Sequence, residues 1–205
     1  MGFYEDRILP RAIDLMLGTK SMGALRARAL DGVHGTVVEL GFGSGTNLPY
    51  YPPEVERVWA IDPAVRARRL AAKRLAASPI EVEFVGLEGA ALPIADGAAD
   101  CVVSTWTLCT IPDVEAALQE ARRVLKPGGA LHFLEHGLSD DPKVAERQRR
   151  YDGIQQRIAG GCHLDRDHRA LIGASGLDLD RVANFSISGP KVMSYLYAGT
   201  ASKPG

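Results

Sequence analysis

Apolar positions along the 205-residue chain fall into two alternating patterns. Short β-branched runs recur over residues 36–40, 57–61, 81–85, 100–104 and 130–134, each bounded by turn residues. Between them lie helical stretches. Residues 64–77 are rich in Ala, Arg and Leu and offer Val65, Leu70 and Leu75 to an inner face, ending before Pro79, whose ring disfavours an α conformation at the preceding residue. Residues 113–125 space Val114, Ala117, Leu118, Ala121, Val124 and Leu125 on one helical face. Asp113 is the expected N-cap there, and Lys126-Pro127-Gly128-Gly129 the stop. Strands alternating with helices predict an α/β fold: a parallel sheet, doubly wound, with helices on both faces.

The ends read differently. Residues 3–30 predict one or two helices with an apolar stripe of Ile8, Leu9, Ile13, Met16 and Leu17. After Glu135-His136 a polar helix is expected over about 143–158 and another over 165–174. A closing pair of strands follows at 177–187 and 192–197, then a frayed tail over 202–205.

Composition narrows the function classes. Forty-six per cent hydrophobic residues support a packed core and exclude a disordered chain. Twenty-four basic against 25 acidic residues leave a net charge of −1, which argues against a nucleic-acid partner. Three cysteines without a Cys-x-x-Cys pair predict free thiols in a reduced, cytoplasmic setting, with no bound metal. No apolar run is long enough for an integral membrane segment. The sequence leaves oligomeric state open.

The richest stretch is Glu39-Leu40-Gly41-Phe42-Gly43-Ser44-Gly45-Thr46-Asn47. A glycine turn between strand and helix lets a ligand approach bare backbone and aims amide groups at it. The pattern is Gly-x-Gly-x-Gly, whereas a nicotinamide-dinucleotide fingerprint needs its third glycine where Thr46 stands. Glu39 precedes the loop and is placed to attract a cationic ligand group. Asp62 ends the next strand, where a carboxylate can accept from both hydroxyls of a ribose. Gly86-Leu87-Glu88-Gly89-Ala90 follows the third strand and is placed to close over an adenine. Either carboxylate alone equally suits a solvated strand end; the ordered set points to a site.

That series, continued by Ile61-Asp62-Pro63, by residues 92–100 and by Arg123-Val124-Leu125-Lys126-Pro127-Gly128-Gly129, resembles the class I S-adenosylmethionine-dependent methyltransferases. The resemblance implies a Rossmann-like doubly wound seven-stranded sheet with its last strand antiparallel, preceded by an N-terminal helical cap. It implies that Gly41, Gly43 and Gly45, with Phe42, Asn47 and Pro63 nearby, line the methionine end of S-adenosyl-L-methionine. Asp62 would hold the ribose, Glu88, Gly89 and Ala90 would flank the adenine, and Ser104 and Thr105 would lie beneath the sulfonium. Phe42 departs from the small residue usual in the family. The expected organisation is one domain over 1–205: a cap over 1–32, a cofactor core over 33–136, and substrate-side helices and closing strands over 137–205.

Residues 45–53, Thr107-Leu108-Cys109, Phe133-Leu134-Glu135-His136 and Gly161-Cys162-His163-Leu164-Asp165-Arg166 are similar to the small-thiol S-methyltransferases. The partner expected is therefore a small, lipophilic acceptor, a thiol in preference to a quinone, phenol or phospholipid amine, with S-adenosyl-L-homocysteine as the product. A non-catalytic S-adenosylmethionine-binding protein is the alternative. A thiol is partly ionised at neutral pH, so positioning suffices, whereas a hydroxyl needs a base. The candidate base is His136, whose other reading is a structural histidine bonded to Glu135 or backbone. Trp106, Cys162 and Tyr50 are candidate acceptor contacts, against core filling, packing at a helix end and a surface turn respectively. The basic runs 66–74 and 147–150 are expected on solvated faces.

Overall fold

A computed structural model describes residues 15, 18–63 and 67–205. The N-terminal stripe expected at Ile8, Leu9, Ile13, Met16 and Leu17, and the start of the second-strand helix, lie outside the described residues. The elements are α1 (Lys20–Ala29), β1 (Gly35–Leu40), β2 (Val55–Ile61), α2 (Ala67–Ala77), β3 (Glu81–Gly86) and β4 (Ala99–Thr105). They continue with α3 (Val114–Val124), β5 (Leu125–His136), α4 (Pro142–Ile158), α5 (His168–Ala174), β6 (Asp178–Ser186) and β7 (Tyr195–Ser202).

All seven strands form one sheet in the order β3-β2-β1-β4-β5-β7-β6. The first five run parallel, and β7 pairs antiparallel with both β5 and β6. Adjacent residues of β1 enter different cores: Val38 and Leu40 pack with Leu118, Val124 and Phe133, while Val37 packs with Phe42, Val58 and Ala71. Side chains alternate across a strand, so burial of both neighbours means that both faces are covered. Helix α3 follows its sequence pattern closely. Asp113 caps it by accepting from the Ala116 amide at 2.9 Å, and Val114, Ala117, Leu118, Ala121 and Val124 are buried.

The C-terminal part departs from its pattern. The last strand does not run over 192–197; Val192 lies in a short 3₁₀ turn (Lys191–Met193), and β7 begins at Tyr195. Its run of small residues is a weak strand signal, and pairing with β5 from His136↔Leu196 to Ala130↔Ser202 supplies what local propensity lacks. The tail is tied down. The Gly128 amide donates to the Lys203 carbonyl at 2.9 Å, and Lys203 Nζ donates to the Leu125 carbonyl at 2.7 Å. Lys126-Pro127-Gly128-Gly129 falls inside β5 and does not precede it. Helix α4 buries Val144 and Ala145 in its first turn but is inverted beyond them: Gln148, Asp152 and Gln155 are buried, whereas Tyr151, Ile154 and Ile158 are 45%, 57% and 55% exposed.

Between β1 and β4 the strand order reverses, and open α/β sheets bind ligands at the C-terminal edge of such a switch point. The loop after β1, the loop after β4 and the end of β5 meet there.

Candidate active site

Leu40, the last residue of β1, leads into a turn in which Gly41, Gly43 and Gly45 have φ of 72°, 55° and 72°. A side chain is excluded at Gly41, where a Cβ would stand 2.0 Å from the Thr107 hydroxyl oxygen. At Gly43 a Cβ would meet only the Gly41 carbonyl, at 3.9 Å, so the crest of the loop faces open space. Beneath that crest the Gly43 amide donates to Asp62 Oδ2 at 2.5 Å. Asp62 is buried, and part of its acceptor capacity orders the loop. Arg74, in the run expected to be solvated, reaches from α2 to donate to the Ser44 carbonyl at 3.0 Å. Arg68 lies over the Phe84 ring, its Cζ 4.2 Å from the centroid.

Glu39 does not reach the open crevice. It is fully buried, accepting from Asn47 Nδ2 at 2.8 Å and from the Tyr51 hydroxyl at 2.7 Å. Burial lifts its carboxyl to about 7, opposed by those hydrogen bonds and by Arg26. Arg26 is a residue that the sequence patterns did not single out. Its Nη1 donates to Asn47 Oδ1 at 2.6 Å and to Thr105 Oγ1 at 2.8 Å, and its guanidinium lies 4.6 Å from the centre of the Trp106 ring. Burial lowers Arg26 to about 10, partly offset by Glu39. Asn47 thus bridges a buried cation and a buried carboxyl, and joins α1 to β1 and β4.

The other expected site residues divide. Phe42 turns into the core, edge-on to Phe84 with ring centres 5.2 Å apart, so its side chain is no part of the crevice. Ser104 is likewise directed away, donating to Glu135 Oε1 at 2.7 Å. Thr105 faces Arg26 and Asn47. Tyr50 packs its phenol against Gly23 of α1, where it occupies the place of a Cβ. Pro63 and Glu88 are exposed; Gly89 sits beside Ile111, which a Cβ would approach to 3.2 Å, and Ala90 is half-buried. Trp106, half-buried, is the one non-glycine residue with positive φ (53°) among the described residues. Such backbone conformations cost energy, and they cluster at functional sites.

Glu135 neither faces solvent nor orients the neighbouring histidine. Fully buried, it accepts from Ser104, from the Thr107 amide at 3.1 Å and from the Cys109 amide at 3.2 Å, which shapes the loop after β4. Burial raises its carboxyl, and these donors act against the rise. His136 ends β5 with Nδ1 3.8 Å from the Cys162 thiol, while its buried Nε2 has no partner among the described residues. Its carbonyl is held by His168 Nε2 at 2.9 Å, and burial keeps His168 at about 4, so that ring is neutral at physiological pH. Cys162 also lies 3.7 Å from Cys109, in the loop after β4. Arg166 of the same motif is buried, donating to the Leu108 and Pro112 carbonyls.

A methyltransferase-domain family matches residues 38–133. Thiol S-methyltransferase TMT1B of Rattus norvegicus is 36% identical over 138 residues, 64% of this chain and 55% of that protein. The chain thus spans about half the length of that relative. The Mus musculus protein of the same name is 35% identical over 171 residues, covering 80% of this chain and 70% of its own. Among solved structures, phosphoethanolamine N-methyltransferase 2 of Haemonchus contortus superposes with a TM-score of 0.74 at 15% identity, over 98% of this chain and 60% of that one. With the sheet order, the glycine turn over Asp62 and these matches in hand, the chain belongs to the class I S-adenosylmethionine-dependent methyltransferases, in the family of the thiol S-methyltransferases.

Proposed function

We propose that this protein transfers the methyl group of S-adenosylmethionine to a small, lipophilic acceptor, a thiol in preference to a quinone, a phenol or a phospholipid amine. The observation that carries the reading is the bare crest at Gly43 over the buried Asp62 carboxylate, at the C-terminal edge of the sheet where the strand order reverses. An open backbone crest beside a carboxylate fits a nucleoside: Asp62 would hold the ribose hydroxyls, and Gly41, Gly43 and Gly45 would flank the methionine end. Glu88, Gly89 and Ala90 stand at the adenine end. Bound there, S-adenosylmethionine supplies a methyl carbon on a sulfonium, made electrophilic by the positive sulfur.

The chain's own task is to seat both reactants and manage one proton. Asn47, Glu39 and Arg26 fix the loop from behind, so its conformation is set before a ligand arrives. A preorganised loop spends less of the binding energy on ordering. Trp106 offers a half-buried apolar ring just after β4, and Cys162 lies beside His136 at the end of β5, whereas Tyr50 packs against α1. In this reading His136 is the proton acceptor, its buried Nε2 making no hydrogen bond among the described residues. A thiol, with a pKa near about 8.5, needs that help least, whereas a phenol or an ammonium needs it more. The thiol preference draws support from the relatives that are thiol S-methyltransferases.

The test is a screen with methyl-labelled S-adenosylmethionine across alkyl and aryl thiols, phenols, quinones and aminophospholipids. Label should appear first on a lipophilic thiol. Label on a quinone or lipid with none on any thiol would replace the acceptor. Binding of S-adenosylhomocysteine without transfer to any class would leave only a cofactor-binding protein.

A further inference from the structure

Methyl transfer gives no task to the pairing of Cys162 with Cys109. The two sulfurs are 3.7 Å apart, and the loops that carry them are already joined by the main chain, the His163 amide donating to the Cys109 carbonyl at 2.8 Å. A disulfide needs an S–S bond of about 2.05 Å, so the sulfurs have less than about 2 Å to close. The two thiols differ in access. Cys162 is half-buried, whereas Cys109 is 2% exposed, its amide fixed by Glu135. They differ in chemistry as well: Cys109 and then His136 pull the Cys162 thiol below its usual range, while Cys109 is held well above it by Cys162 and by burial. The third cysteine, Cys101, is buried in β4 beside His34, and burial raises its thiol.

We propose that Cys162 and Cys109 are a redox-sensitive pair on the acceptor side of the crevice, which a hydroperoxide converts to a reversible disulfide. Cys162 is the attacking sulfur and Cys109 the resolving one. In the first step Cys162 sulfur attacks the terminal peroxide oxygen. The S–O bond forms as the O–O bond breaks, and the departing oxygen takes the proton shared by Cys162 Sγ and His136 Nδ1. In the second, Cys109 sulfur attacks Cys162 sulfur; the S–S bond forms, the S–O bond breaks, and the hydroxyl leaves as water with the Cys109 proton. The two thiols are oxidised by two electrons and the hydroperoxide is reduced to an alcohol and water (two waters from hydrogen peroxide). The product clamps the loop after β4 to the turn after α4 and withdraws from His136 the sulfur it faces. An external thiol restores both cysteines by exchange.

The proposal does not depend on which acceptor is methylated, because its readout is covalent mass. The reduced full-length protein is exposed to equimolar hydrogen peroxide, alkylated without reductant and mapped by mass spectrometry. The expected product is about 2 Da lighter, the loss of two hydrogens to an S–S bond. It carries alkyl label on Cys101 only, yields a Cys109–Cys162 linked peptide, and returns to full labelling after dithiothreitol. Cys109→Ser should give a dimedone adduct on Cys162 and no link, and Cys162→Ser should leave Cys109 unoxidised at the same dose. Cys101→Ala should keep the link, which guards against a folding defect in the other variants. Three labelled cysteines after oxidation of the folded wild-type protein, a link only between molecules, or an adduct on Cys101 ahead of Cys162 would each overturn the proposal.

Discussion

On the β1 side of the crevice Asn47, Glu39, Tyr51 and Thr105 are linked by hydrogen bonds and hold Arg26 through Nη1, while its buried Nε makes no hydrogen bond among the described residues. On the β5 side the polar contacts are sparse: His136 Nε2 lacks a partner among the described residues, and Cys162 Sγ stands 3.7 Å from Cys109 Sγ and 3.8 Å from His136 Nδ1. Both clusters are buried, so burial by itself does not distinguish them. The difference lies in how much bonding capacity is spent. A densely bonded network fixes a conformation, and the β1 side holds the glycine turn. A sparsely bonded one leaves capacity unspent, and the β5 side carries His136 and Cys162, the groups proposed to meet the acceptor. Partly satisfied buried groups cost stability, which is tolerable only where function uses them.

The largest expected effect breaks the densely bonded side. Arg26→Ala leaves Asn47 and Thr105 buried without their donor and Glu39 without the cation that opposes its burial, so unfolding by urea should show a loss of about 3–5 kcal/mol. A loss below about 1 kcal/mol would mean that the network orders nothing. Next comes its pH dependence. Glu39 titrates at about 7 when folded against 4.5 for the exposed group, so the native state binds the extra proton. Its contribution is therefore full below pH 4.5, falls as pH rises to 7, and is flat beyond, a change of about 3 kcal/mol. Glu39→Gln should flatten that slope in urea midpoints measured from pH 4.5 to 8, and an unchanged slope would place the titration elsewhere.

Asp62→Ala tests the point where loop and ligand meet. Calorimetry should show binding of S-adenosylhomocysteine weakened by about 1.5–3 kcal/mol, the worth of hydrogen bonds to a charged group. Wild-type affinity would remove Asp62 from the site. The smallest effect sharpens the sparsely bonded side: His136→Ala should leave that affinity unchanged and slow transfer to a thiol by about tenfold or less, against about 100-fold for a phenol. Equal losses on both acceptors would assign His136 to positioning the acceptor and not to proton removal.

Reading the chain locally recovered much of the frame. Five parallel strands, the Asp113 cap and the buried face of α3 follow from periodicity and turn chemistry, which are properties of neighbouring residues. The glycine turn and Asp62 were legible for the same reason. Arg26 was not, because an arginine on a polar helix reads as solvent-facing, and its partner Thr105 lies 79 residues away. Nor was the inversion of α4. Amphipathic logic places Ile154 and Ile158 inside, yet Asp152 accepts from the Leu164 amide and Gln148 donates to the Gly137 carbonyl, so the polar stripe turns inward to serve loops. The displacement of β7 has a similar origin, since β5 supplies the pairing that its small residues do not demand.

The amino-acid sequence determined where the backbone must bend, which segments repeat every two or every three to four residues, and thereby the alternating sheet and the bare glycine crest. Tertiary structure alone decided which polar groups were taken out of water together: Arg26 with Asn47 and Glu39, and Cys162 with Cys109 and His136. Local patterns carry short-range sterics and hydrophobicity. Burial, proton affinity and reactivity depend on contacts between groups far apart in the chain, and these exist only once the sheet has assembled.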